Sequence, residues 1–127
     1  MDKASQTREM IKDWELDSAK EILRQMNPSK TRDRLWVQMG KAHLKQRLPV
    51  KAIDCADFIG DKEIRFHFLA VIIFHCLLQQ WEHTAKRAGR MFPKERQKEF
   101  NEKIVQMIRR ARGGRYPSFD TFKEIFG

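Results

Sequence analysis

Three alanines, Ala19, Ala52 and Ala85, stand 33 residues apart, and each opens a short apolar-striped segment ending at Met26, Ile59 and Phe92. A period of this size marks stacked helical hairpins, because one such unit cannot bury its apolar face without neighbours. After each segment comes a turn and then a longer helical pattern, beginning at Leu35, Phe68 and Phe100. The recurrence predicts an all-α chain, a right-handed α-solenoid of antiparallel helix pairs with about seven or eight helices. It is expected to form one domain over residues 1–127, with repeats at roughly 17–48, 49–81 and 82–112.

Local signals place the elements. A first helix over Lys3–Trp14 would use Met10, Ile11 and Trp14 as its apolar face. Asp17 or Ser18 is the expected cap of a second helix, because a short oxygen-bearing side chain satisfies free N–H groups there, and Asn27-Pro28 ends it. From Ser29 to Arg47 the residues Leu35, Trp36, Met39, Ala42 and His43 follow the helical period, and Pro49 suits the start of the next helix. Gly60-Asp61 reads as a turn. Glu63–Gln80 is apolar most of the way round, so a helix there is expected to be buried on most sides. A short helix over Glu82–Met91, a turn at Pro93 and a long basic helix over Lys94–Arg112 follow. Gly113-Gly114 is expected to end that helix, and residues 117–126 to form an amphipathic closing helix for the stack.

The stretch from Leu35 to Ile59, with Gly40, Ala52 and Ala56 letting two helices approach closely, resembles a tetratricopeptide-type hairpin. The likeness covers roughly residues 17–112. The period here is 33, one short of that family's, and Arg47 stands where the inter-helix turn often has glycine. The resemblance implies recognition of a protein or peptide on the concave face. The family's carboxylate-clamp version, with lysines and paired asparagines, is not expected, since the asparagines are Asn27 and Asn101 alone.

Charge narrows the partner. The net charge is +9, yet residues 1–84 carry 14 Lys/Arg against 12 Asp/Glu, whereas residues 85–115 carry 11 against 3. A partner of the third repeat should therefore be acidic. No apolar run approaches the roughly 18–20 residues of a membrane span, and the N-terminus shows no signal-peptide core, so a soluble, cytoplasmic protein without membrane partners is expected. Cys55 and Cys76 have no clustered spacing and suit small buried residues of a reducing compartment.

Superposing the long helices so that Leu35, Phe68 and Phe100 coincide also aligns Met39, Ile72 and Ile104. On another face the first shows Arg34, Gln38, Lys41 and Lys45, the second His67, Val71, Phe74 and Leu78, and the third Glu99, Lys103, Gln106 and Arg110. An apolar strip between two basic ones would suit an acidic or amphipathic protein segment, with Lys41, Lys45, Val71, Phe74, Leu78, Lys103 and Arg110 as its contacts. Two other readings stay open: the strip is ordinary core, or it is the interface of a homo-oligomer. A second cluster, Arg96, Arg109, Arg112 and Arg115, is a candidate patch for phosphate or an acidic ligand, and it supports an alternative function, RNA or DNA binding through the third repeat. Cations near a helix C-terminus also favour its dipole without any ligand.

Catalytic patterns are absent from the sequence. His43, His67, His75 and His83 include no i, i+4 pair, there is no CxxC and no glycine-rich phosphate loop, and the neighbours His75 and Cys76 point about 100° apart on a helix. The expectation is a noncatalytic interaction domain without metal or cofactor. Trp14, Trp36 and Trp81 are expected to fill space between helices.

Overall fold

The computed structural model describes residues 2–102, which divide after Phe68 into two compact units. The described residues are helical and contain no strand: α1 (Lys3–Lys12), α2 (Leu16–Gln25), α3 (Lys30–Lys45), α4 (Pro49–Asp57), α5 (Lys62–Leu78) and α6 (Glu82–Arg90). A 3₁₀ turn, Lys94–Arg96, leads into helical residues 97–102. The chain is thus all-α, as the periodicity indicates.

The 33-residue recurrence is written into the backbone. Among the described residues, those with positive φ other than glycine are Trp14 (63°), Arg47 (62°) and Gln80 (62°), again 33 apart. At each, two backbone bonds close the same joint. Trp14 N–H donates to the Ile11 carbonyl and Glu15 N–H to Met10; Arg47 donates to Leu44 and Leu48 to His43; Gln80 donates to Leu77 and Trp81 to Cys76. This double bond with a left-handed residue is the Schellman ending of a helix, here reversing the chain into α2, α4 and α6. The tight joint therefore follows the first helix of each pair, α1, α3 and α5. Ala19, Ala52 and Ala85, each the fourth residue of its second helix, are all fully buried.

Within the first unit α1 packs on α2 and α3 on α4, and α3 also lies against α1 and α2. Ser29 caps α3, its hydroxyl accepting from Arg32 N–H at 3.1 Å, and Pro49 opens α4 where its missing N–H leaves nothing unpaired. Two arginines 33 residues apart close the second helices. Arg32 Nε donates to the Leu23 carbonyl of α2 at 3.1 Å, and Arg65 donates through Nε and Nη2 to the Ile59 carbonyl at 3.1 and 2.7 Å. Asp33 accepts from Gly60 N–H at 3.1 Å and Asp61 N–H at 3.0 Å, tying the start of α3 to the turn before α5. The core holds Leu23, Leu35, Trp36, Met39, Ile53, Ile59, Phe66 and Phe68. In the second unit Leu69, Ile72, Ile73, Cys76 and Leu77 are buried, and Phe92 and Phe100 meet with ring centroids 4.2 Å apart.

Gly40 shows why α3 needs a residue without a side chain there. A Cβ at that position would overlap the Phe68 ring. Gly40→Ala is accordingly expected to destabilise the fold by about 1–3 kcal/mol, overriding the better helix propensity of alanine, in an equilibrium urea titration.

Three local expectations are corrected. Helix α2 starts at Leu16 rather than at residue 18, with Glu15 as its cap residue and no side-chain cap bond, because the preceding Schellman joint delivers the chain directly into it. The helix placed at Lys94 opens as a 3₁₀ turn, with helical residues from 97. Trp14 does not pack on an apolar face of α1: the helix stops at Lys12, and the left-handed joint turns the indole outward, 50% exposed. Trp36 does fill inter-helix space, at 0% exposure.

Candidate functional site

The α3 face anticipated as polar is exposed: Arg34, Gln38, Lys41 and Lys45 all reach solvent. Its neighbour is α1, and the two form an open concavity of about 370 Å³ lined by Arg8, Ile11, Lys12 and Trp14 on one side and Gln38, Lys41, Ala42 and Lys45 on the other. Four cations thus surround an indole, an isoleucine and an alanine, and no acidic residue lines the groove. Among the described residues none of the four cations makes an ion pair, whereas elsewhere Arg24 pairs with Glu21 at 4.0 Å and Arg96 with Glu99 at 3.2 Å. Local folding explains the cluster. Arg8 and Lys12 are one turn apart on α1, Lys41 and Lys45 one turn apart on α3, and the joint at residues 13–14 places Trp14 beside them. The arrangement suits an acidic chain with an apolar anchor, held by long-range attraction at the rim and burial at the centre.

The remaining anticipated contacts are distributed differently. Val71, Phe74 and Leu78 are half-buried along one face of α5 in the second unit. Arg96 is not a free cation: its guanidinium donates to both carboxylate oxygens of Glu99 at 3.2–3.3 Å. Lys103, Arg109, Arg110, Arg112 and Arg115 lie outside the described residues, as does the closing helix at 117–126. The sequence reading missed Arg8, Lys12 and Trp14 as groove residues. The signal was present only as i, i+4 cations on α1, since the period of one helix does not say which face of another it will meet.

Titratable groups follow their burial. Both cysteines are free; burial pushes the Cys55 thiol up to about 12 and Cys76 to about 11, so both stay protonated and unreactive at neutral pH. Among the described residues no group of three or more His, Cys, Asp or Glu side chains is placed to hold a metal ion. Burial, reinforced by Lys51, lowers His43 below the ordinary imidazole value of 6.5, and burial lowers His75 as well. A lowered folded-state pKa means that the unfolded chain binds the proton first as pH falls. Stability from both histidines is therefore full above 6.5 and declines below it. Asp61 acts lower: the bond it accepts from Ile64 N–H lowers its carboxyl, so it responds only below 3.8. Urea midpoints are expected to fall between pH 7.5 and 5.5, and His43→Gln to remove part of that fall; an unchanged slope in the variant would rule the assignment out.

Among the described residues no helix is long and apolar enough to cross a membrane. No protein family, curated protein or solved structure matches this chain.

Proposed function

We propose that the protein is a noncatalytic binding module whose helix pairs stack as a tetratricopeptide-like solenoid, and that its first unit holds an acidic, amphipathic protein segment. The observation that carries this reading is the groove between α1 and α3, where four unpaired cations surround the exposed Trp14. A half-exposed indole between cations is the kind of anchor that dominates binding energy when a partner covers it, while the rim charges set orientation and association rate. The recurrence of the hairpin joint every 33 residues supports the stacking.

The test is a fluorescence anisotropy titration with a labelled helical peptide carrying Glu/Asp on one face and Leu at i, i+4. Trp14→Ala is expected to weaken binding by about 2 kcal/mol, roughly 30-fold. Arg8→Glu with Lys41→Glu should weaken it further, mainly by slowing association. All three positions are exposed, so folding stability should change by no more than about 0.5 kcal/mol for each. Raising the salt should cost the peptide only modestly. Binding of single-stranded RNA that exceeds peptide binding and collapses with salt would replace this reading by phosphate recognition.

A further inference from the structure

Among the described residues the exposed large apolar side chains are Trp14 at 50%, Val50 at 41% and Leu48 at 38%. Single exposed apolar residues are ordinary, but these three gather at two neighbouring chain reversals. Trp14 is the left-handed residue between α1 and α2; Leu48 and Val50 follow its counterpart Arg47 at the start of α4. The two reversals lie side by side. Trp14 shares the basic groove with Lys45, and Leu16, which opens α2, shares a shallow concavity with Lys51 in the first turn of α4. One end of the first unit therefore presents an indole and two aliphatic side chains on exposed turns rather than inside a cleft.

The charge around the second reversal is of one sign. Lys45 and Lys51 are exposed on either side of it, and residues 34–53 hold five Lys/Arg and no Asp/Glu. Asp13 and Glu15 flank Trp14, so the positive field is strongest beside Leu48 and Val50. Helix ends add to it: α2 and α4 both begin at this end without a side-chain cap bond, which sets their first-turn N–H groups and positive dipole poles beside the cations. A partner meeting this end has to accept apolar side chains from separate turns and offer many negative oxygens at one level. A folded acidic protein would need a pocket matched to each tip, whereas the boundary of an anionic bilayer yields to apolar side chains and carries phosphate throughout. Tryptophan suits that level because its ring is apolar and its N–H polar, and lysine lays its stem along the apolar zone while its ammonium stays among the headgroups.

We infer that this end of the first unit docks on the surface of a membrane containing anionic lipid, with Leu48 and Val50 entering the headgroup boundary beside Trp14, and Lys45 and Lys51 meeting lipid phosphates. The absence of membrane partners expected from the sequence rests on the lack of a spanning segment, and a peripheral contact needs none. The test is co-sedimentation of the full chain with vesicles of phosphatidylcholine, alone or with about one-third phosphatidylserine. Binding should be about tenfold or more stronger to the anionic vesicles and should fall severalfold as salt is raised. Lys45→Glu with Lys51→Glu should weaken it about tenfold or more, and Leu48→Ser with Val50→Ser about threefold to tenfold. Arg87→Glu with Arg90→Glu, an equal change of charge at exposed positions of α6, should weaken it less than about threefold. All six positions are exposed, and a circular dichroism melt checks that each variant folds. Leu48→Ser with Val50→Ser should leave binding of the acidic peptide to the groove unchanged, so the two readings fail separately. Equal weakening by the α6 pair would overturn the inference in favour of diffuse attraction to a cationic protein. Binding indifferent to Leu48 and Val50 would overturn it in favour of charge alone, and so would the lack of any preference for anionic vesicles in favour of no lipid contact.

Discussion

Trp36→Ala is expected to cost about 3–5 kcal/mol of folding stability. The indole is fully buried and lies flat on Phe58, with an interplanar angle of 11°, and Lys20 and Arg24 sit over the Phe58 ring at 5.9 and 5.6 Å. Truncation removes the largest fully buried side chain and leaves a void between three helices, and it also unseats the ring on which the two cations rest. Because small domains are stable by only about 5–15 kcal/mol, the loss should lower the melting temperature by on the order of 10–20 °C. Urea titration of wild type and variant gives the difference directly. A cost below about 1 kcal/mol would mean that the first unit is not held together at this layer.

Asp33→Ala should be the next most damaging change, by about 2–3 kcal/mol, although it removes only a small polar side chain. Its carboxylate accepts from two consecutive backbone N–H groups, Gly60 and Asp61, across 27 and 28 residues of sequence. Losing it leaves both donors without their partner at a partly buried turn, and charge-assisted bonds are the strong ones. Asp33→Asn tests the mechanism, since one of its oxygens becomes an NH₂ that faces a donor; it should recover at most half of the loss. Hydrogen exchange at Gly60 and Asp61 should accelerate in both variants. Full recovery by asparagine would show that shape, rather than acceptor pairing, holds the turn.

These two residues also show how far the sequence is readable. Trp36 belongs to a helical stripe with Leu35, Met39 and His43, so its burial follows from period alone, and Ser29 and Pro49 mark helix starts by local chemistry. The alanine recurrence indicates the hairpins, and all three alanines are buried. Asp33 gives no such sign. It sits in the first turn of a helix, where an acidic residue favours the dipole without any distant partner, and its bonds depend on a fold that brings residue 60 beside it. Trp14 misleads for a related reason: three residues after Ile11, it continues a helical stripe, but the chain leaves the helix first. Lys41 and Lys45 are legible as an exposed pair. That Arg8 and Lys12 face them is fixed by how α1 lies on α3, a matter of packing between elements rather than of order within one. The strip of Val71, Phe74 and Leu78 is neither deep core nor open surface, an intermediate state that a hydrophobic pattern cannot express.

The joint that closes each first helix is held by two main-chain bonds around one left-handed residue. An indole, a guanidinium and a carboxamide occupy that place in Trp14, Arg47 and Gln80, and all three are exposed. Their shared left-handed twist costs each a similar strain, and the same two main-chain bonds form around all three side chains. Every hairpin thereby gains an interchangeable fingertip: a position where the chemistry offered to the outside can be rewritten while the hinge beneath it stays the same.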